Sequence, residues 1–104
     1  QTRDFTYVGT VVDTLTDAIE RRVTTASPVN LAFGTRYSLL HVIDKIGELL
    51  GHEVELEHTQ PRVGDVRDSQ ADSTTLRHLF PDIMPVELDE GLARTVEWMK
   101  ALEL

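Results

Sequence analysis

The 104-residue sequence contains no cysteine. The chain therefore cannot form a disulfide bond, a thiolate zinc site or a cysteine nucleophile. It also lacks an apolar run approaching the roughly 20 residues that span a membrane, and its first residues do not have the pattern of a signal peptide. We expect a protein without a membrane partner that resides in the cytoplasm.

Basic side chains are scarce: 10 lysines and arginines stand against 18 acidic residues, which gives a formal net charge of −8. An electrostatic field of this sign repels polyanions, so the composition argues against a nucleic-acid partner. A local group of arginines remains compatible with a small phosphorylated ligand. The length and composition are those of one globular domain.

The usual catalytic and cofactor motifs are also missing. The 4 histidines have no spacing typical of metal ligands, and no glycine-rich G-x-G turn follows a predicted strand. Glu53, Glu55 and Glu57 alternate with apolar residues, which places them together on the solvated face of a predicted strand. The residues alone therefore indicate no metal site, no dinucleotide-binding fingerprint and no complete catalytic set.

Periodicity predicts elements in the order strand, helix, strand, helix, strand, short helix, helix. The predicted strands are residues 3–8, 29–33 and 53–58, with a loop over 34–37. The expected N-caps of the first two helices are Thr10 and Ser38, and the Ser73-Thr74-Thr75 run is expected to cap the short third helix. Gly51 is expected to end the second helix, and the last helix carries an apolar stripe from Leu88 to Leu102. Because strands and helices alternate, we expect an α/β fold with a partly parallel or mixed sheet and flanking helices.

One stretch, residues 61–72, lacks the period of a helix or strand but is dense in polar side chains. Arg62 and Asp65 bracket Gly64, so that a guanidinium and a carboxylate can face one ligand beside a backbone without a Cβ. Together with Arg3, Arg62 would form a two-pronged clamp for a diphosphate if the two regions met. A surface loop whose charges are merely solvated is the alternative that these residues leave open.

Four motifs resemble segments of the extended short-chain dehydrogenase/reductases, and within them the sugar-nucleotide epimerases and dehydratases. Residues 3–8 are similar to their RDF-x-YV segment, and residues 61–72 to their R-x-G-D-V-R-x-S-x-A-D segment. Residues 30–38 are similar to their N-x-G-x-G…S segment, and residues 88–98 to their closing helix. The resemblance covers nearly the whole chain and points to enzymes like the UDP-glucose 4-epimerases.

The resemblance implies that residues 1–104 are the C-terminal, substrate-binding portion of such an enzyme, whose Rossmann-type NAD-binding portion lies outside this chain. It implies that Arg3 and Arg62 contact the diphosphate of a UDP-sugar and that Asp65 binds its ribose hydroxyls, whereas Arg67 receives no role. For the complete enzyme it implies NAD as the cofactor and a homodimer. The chain by itself is then expected to bind no cofactor and to be inactive.

The chain departs from the family pattern in several places. Gly9 and Thr10 stand where the family has two acidic residues, and Ala32 and Phe33 replace a glycine and a small polar residue. Neither the glycine-rich NAD fingerprint nor the Tyr-x-x-x-Lys catalytic pair is present in the sequence. A dehydratase or decarboxylase with the same diphosphate contacts, and a non-catalytic binding or adapter module, remain as alternatives.

Overall fold

The structure, a computed structural model, describes residues 1–65 and 72–102. In chain order it contains β1 (Thr2–Asp4), α1 (Val8–Glu20), β2 (Arg36–Ser38), α2 (Leu39–Leu50), α3 (Thr74–Leu79) and α4 (Leu88–Ala101). Each of the helices that periodicity predicts is present, within a few residues of its expected position. The strands differ from the prediction.

The sheet of the described residues consists of β1 and β2, which pair antiparallel with Arg3 opposite Tyr37. A hydrogen bond of 2.9 Å from the Leu39 amide to the Gln1 carbonyl extends the pairing by one step. The predicted parallel or mixed sheet is therefore wrong for this part of the chain. β1 finds its neighbour in the segment just before α2, which the sequence analysis assigned to a loop.

The predicted strands 29–33 and 53–58 are not strands in the structure, and the first predicted strand ends at Asp4. A strand needs a hydrogen-bonded neighbour, whereas propensity and alternation indicate only that a segment would fit one. In the first of these segments, Val29 and Leu31 pack on the core cluster instead of extending a ladder. In the second, the three glutamates are exposed as predicted, but no neighbouring strand among the described residues pairs with the segment.

Helix α1 begins at Val8 with Tyr7 as its N-cap, so the predicted cap at Thr10 is wrong. The hydroxyl of Thr10 is used elsewhere, because it accepts a hydrogen bond of 3.1 Å from the Val86 amide. One turn later the hydroxyl of Thr14 donates to the Thr10 carbonyl at 2.8 Å. Both threonines are buried, and they fix which side of α1 faces the rest of the chain.

Helix α2 begins and ends as predicted. The Ser38 hydroxyl accepts a hydrogen bond of 3.1 Å from the His41 amide, and Gly51 ends the helix in the left-handed region with a φ of 81°. Lys45 lies 3.4 Å from a carboxylate oxygen of Asp89 on α4, and the negative charges of Asp89 and then Glu48 raise the pKa of its ammonium group. This pair accompanies the packing of α2 on α4.

The buried core is small and centres on α3. Phe33, Leu76 and Phe80 form one cluster, against which partly buried apolar side chains of α1 and of the 23–31 segment pack. Ser73 occupies the N-cap position of α3, as predicted, but its side chain makes no capping hydrogen bond. Asp72 supplies that hydrogen bond, since its Oδ1 accepts from both the amide and the hydroxyl of Thr74. Helix α3 ends at Leu79, just before Pro81, as the proline predicts.

Helix α4 carries the predicted apolar stripe, with Asp89 and Glu90 in its first turn where the helix dipole favours acidic groups. At 14 residues it is the longest helix of the described part of the chain. None of the helices within residues 1–65 and 72–102 combines the length and the apolar character needed to cross a membrane.

Candidate functional site

The β1–β2 ribbon presents Arg3 beside an aromatic pair. Residues directly opposite each other in an antiparallel pair project to the same face, so Arg3 shares a face with Tyr37. The Tyr37 ring stacks on the imidazole of His41, with ring centroids 5.3 Å apart and an angle of 16° between the planes. The Arg3 guanidinium donates a hydrogen bond of 2.7 Å to the Thr2 carbonyl through Nη1. A half-buried guanidinium, phenol and imidazole therefore border one face of the ribbon.

Asp4 projects to the opposite side of β1, because side chains alternate along a strand. Its Oδ2 accepts a hydrogen bond of 2.9 Å from the amide of Gly34, which has a φ of 77°. Its Oδ1 is buried and has no hydrogen-bond partner among the described residues. Asp4 thus ties β1 to the loop before β2, which fixes the strand that carries Arg3. Pattern reasoning did not single out Asp4, although the Arg3-Asp4 pair in the RDF motif was the available signal.

Arg62 and Asp65 lie at the two ends of one tight turn. The Asp65 amide donates to the Arg62 carbonyl at 3.2 Å, and Gly64 has a φ of 86° while Val63 does not have a positive φ. A positive φ only at the third position is the signature of a type II turn, which requires glycine there. Both charged side chains are exposed. The structure therefore brings Arg62 and Asp65 together, on either side of the glycine, as the sequence predicts.

Apart from its chain neighbours, no atom of the described residues lies within 4 Å of the position that a Cβ would occupy on Gly64. The glycine is thus needed for its backbone angle and not for lack of space. Arg3 belongs to a different element, and its convergence with the turn on one ligand stays a prediction. Arg67, to which the resemblance gives no role, lies outside the described residues.

Asp72 anchors the far end of the 61–72 loop. Its Oδ1 accepts hydrogen bonds of 3.0 Å from the Thr74 amide and 2.7 Å from the Thr74 hydroxyl. Both hydrogen bonds lower the pKa of the Asp72 carboxyl from its ordinary value, and the one from the Thr74 amide has the larger effect. The carboxylate is therefore charged where it caps α3, and it fixes the point at which the loop enters the helix.

Tyr7 closes the turn between β1 and α1. A Cβ on Gly9 would lie 2.6 Å from the ring atom Cε2, and one on Gly91 would lie 3.0 Å from Cδ1. The guanidinium of Arg94 lies 5.7 Å from the centre of the same ring, and its hydrogen bond with Glu90 raises the pKa of that guanidinium. The Tyr7 ring therefore packs directly against both glycines, Gly9 of α1 and Gly91 of α4.

The described residues hold no cluster of three or more histidine, aspartate or glutamate side chains arranged to bind a metal ion. The arrangement of arginine, carboxylate and aromatic groups suits binding: guanidinium groups for phosphate, and a carboxylate for vicinal hydroxyls. The sequence did not predict that Tyr37 lies opposite Arg3 or that His41 stacks on Tyr37. The strand pairing that brings them there was the missing information.

Comparison with known proteins gives relatives of one kind. Over 99 residues the chain is 32% identical to the UDP-glucose 4-epimerase of Mycolicibacterium smegmatis, a match that covers 95% of the chain and 31% of that protein. It is 27% identical over 106 residues to a UDP-glucuronate 4-epimerase of Thermodesulfobacterium geofontis, which covers 96% of the chain and 31% of that protein. An uncharacterized UDP-glucose epimerase of Bacillus subtilis is 24% identical over 102 residues, covering 98% of the chain and 32% of that protein.

The chain thus spans about a third of the length of the curated relatives that it matches. No protein-family model and no solved structure gave a significant match. The predicted resemblance to sugar-nucleotide epimerases is confirmed, since four curated relatives are named as epimerases of UDP-glucose or UDP-glucuronate.

Proposed function

We propose that this chain is the C-terminal, substrate-binding portion of a NAD-dependent UDP-sugar 4-epimerase, and that it binds the nucleotide diphosphate of the substrate. Similarity to epimerases over 95% of the chain supports this proposal. In such an enzyme the contacts to the nucleotide, remote from the reacting carbon, hold the sugar in place for a reaction carried out elsewhere.

The single observation that carries the proposal is the turn from Arg62 to Asp65. It offers an exposed guanidinium and an exposed carboxylate on either side of a glycine that no other described residue crowds. A nucleoside diphosphate carries the complementary groups, since its phosphates accept from guanidinium and its ribose hydroxyls donate to carboxylate. In this proposal Arg62 binds the diphosphate, Asp65 binds the ribose, and Arg3 supplies a second guanidinium.

NAD is the cofactor that the resemblance implies for the complete enzyme, where it supplies a reversible acceptor of hydride. The turn between β1 and α1 holds Gly9 alone, without the G-x-G spacing of a dinucleotide-binding turn, and the Tyr7 ring lies against that glycine. We expect the chain by itself to bind no NAD and to show no epimerase turnover.

Calorimetric titration of the purified chain with UDP tests the proposal. We expect UDP to bind, and we expect Arg62→Ala to weaken its affinity by roughly tenfold or more, because a charge-assisted hydrogen bond to phosphate is lost. Arg94→Ala is the matched control, since it removes the same charge from the surface of α4. Equal affinities for the two variants would contradict the role of Arg62, and a folded chain that gives no heat with UDP would favour the adapter alternative.

The role of Asp65 is tested with a second ligand. If its carboxylate binds the ribose, the wild-type chain prefers UDP to 2′-deoxy-UDP, and Asp65→Ala removes that preference while it still binds the diphosphate. A preference that survives in Asp65→Ala would assign the ribose to another residue. Two further proposals concern the complete protein. Its sugar specificity is measured by the turnover of UDP-glucose and UDP-glucuronate, and the proposed homodimer is tested by the molecular mass from light scattering.

A further inference from the structure

One peptide group joins the strand that carries Arg3 to helix α3. The carbonyl of Phe33 and the amide of Gly34 belong to the same peptide unit. The amide donates to Oδ2 of Asp4 at 2.9 Å, and the carbonyl accepts from Nη2 of Arg77. A carboxylate of β1 and a guanidinium of α3 therefore hold the two ends of one peptide dipole, and hydrogen bonds arranged in this way strengthen each other.

The side chain of Arg77 is itself held at more than one point. Its Nε donates to the Ser73 hydroxyl at 3.1 Å, and its guanidinium lies 5.4 Å from the centre of the Phe33 ring. Ser73 is the N-cap of α3 and follows directly on the last residue of the 61–72 loop. The contacts thus form a continuous path from the end of that loop, through α3 and the peptide unit, to β1.

The carboxylate of Asp4 carries a cost for the fold. Its Oδ1 is buried and has no hydrogen-bond partner in the part of the chain that the structure describes. A buried polar atom without a partner is destabilising, so its presence calls for an explanation other than stability. A smaller apolar side chain would avoid the cost, but it would release the Gly34 amide and with it the link between β1 and α3.

We propose that Arg77 is a positioning residue for nucleotide binding. It acts through the Phe33–Gly34 peptide and Asp4, which together set where Arg3 lies relative to α3. The inference rests on the proposed function, in which Arg3 contacts the diphosphate and the 61–72 loop, which ends at α3, supplies the other guanidinium. Two guanidinium groups on separate elements hold one diphosphate only if their spacing is fixed, because charge-assisted hydrogen bonds need short distances and good alignment.

Calorimetric titration with UDP tests the proposal, with Arg21→Met as the matched control for Arg77→Met. Arg21 also lies over a core phenylalanine and donates to a backbone carbonyl, but that carbonyl belongs to Leu79 and not to the peptide that Asp4 holds. Methionine keeps an apolar side chain over each ring and removes the guanidinium. We expect Arg77→Met to weaken UDP affinity by about fivefold or more, and Arg21→Met to change it by less than about twofold.

A second comparison shows whether Arg77 acts through Arg3. In the Arg3→Ala background the group that Arg77 positions is missing, so Arg77→Met should then change UDP affinity by less than about twofold. Equal effects in the two backgrounds would overturn the proposal, since Arg77 would then act independently of Arg3. All variants are titrated at a temperature at which circular dichroism shows them folded, so that unfolding does not contribute to the change in affinity.

Similar UDP affinities of Arg77→Met and Arg21→Met would also overturn the proposal, and would leave Arg77 with a role in the core only. If Arg77→Met does not fold, Asp4→Ala breaks the same connection from its other end and is compared in the same two backgrounds. An unchanged affinity of Arg77→Met beside a weakened one of Arg62→Ala would contradict this inference alone. A folded wild-type chain that binds no UDP would contradict the proposed function as well.

Discussion

At the scale of single residues, two arginines each cover one phenylalanine of the small core. Arg77 donates to the Phe33 carbonyl while its guanidinium lies 5.4 Å from the centre of that ring. Arg21 donates to the Leu79 carbonyl at 2.9 Å and lies 5.5 Å from the Phe80 ring. In both cases a charged group that stays in contact with water shields apolar surface and satisfies a backbone carbonyl. The arginines therefore complete a core that apolar side chains alone leave partly open.

Because that core is so small, we expect single truncations within it to be severe. Leu76 is 2% exposed and belongs to one buried cluster with Phe33 and Phe80. Leu76→Ala should lower the free energy of unfolding by about 2–5 kcal/mol, from lost burial and the cavity that remains. Leu56→Ala is the matched control, since Leu56 is 48% exposed. Urea denaturation followed by circular dichroism measures both, and equal losses for the two variants would contradict this description of the core.

At the scale of elements, helix boundaries were more predictable than strands. The cap at Ser38 and the left-handed Gly51 act through neighbours close in sequence, so the pattern alone locates α2. The cap predicted at Thr10 was wrong, because the hydroxyl of Thr10 accepts from the distant Val86 amide. Ser73 lies at the N-cap of α3 as predicted, but the side chain that accepts from Thr74 is that of Asp72. These hydrogen bonds depend on tertiary contacts or on which of two adjacent residues caps the helix, and periodicity does not resolve either.

The N-terminus of α3 carries a prediction about pH. Hydrogen bonds from Thr74 lower the pKa of Asp72 in the folded chain below its ordinary value of 3.8. As the pH falls, the Asp72 carboxylate of the unfolded chain is protonated first, near its ordinary pKa. The stabilisation that the charged Asp72 gives to the folded chain is therefore complete above about pH 3.8. It is lost as the pH falls further, through the lowered pKa of the folded chain. We therefore expect the stability advantage of wild type over Asp72→Ala to be constant near neutral pH and to shrink below pH 4.

Asp72→Asn separates the charge from the hydrogen bonds, because its amide oxygen still accepts from Thr74 but does not titrate. Urea denaturation at a series of pH values measures the differences, and the other carboxylates cancel in each comparison. The advantage of Asp72→Asn over Asp72→Ala should not change with pH. An advantage of wild type that persists undiminished at pH 2 to 3 would show that the Asp72 carboxylate does not cap α3.

At the scale of the whole molecule, the turn that carries the candidate site was predictable, whereas its binding role stays a prediction. Arg62, Gly64 and Asp65 lie within four consecutive residues, so a turn rule suffices to place them. The residues around Arg3 could not be predicted in this way, because they depend on the pairing of β1 with β2. This pairing joins segments more than thirty residues apart in sequence and has no local signal. The parallel sheet was overpredicted for a related reason, because segments with strand character find no hydrogen-bonded neighbour among the described residues.

The shape of the chain provides the last prediction. Its radius of gyration is 16.3 Å and its extents are 45 × 36 × 21 Å, whereas a compact domain of this length is expected to have a radius of about 13 Å. The cause is that one cluster around Leu76 and a separate contact of α2 with α4 replace a single central core. Small-angle X-ray scattering of the purified chain, extrapolated to zero concentration to remove association, should give a radius at or above the 16.3 Å of the structure. A value near 13 Å would contradict the separation of these two groups of contacts and would indicate a single compact core.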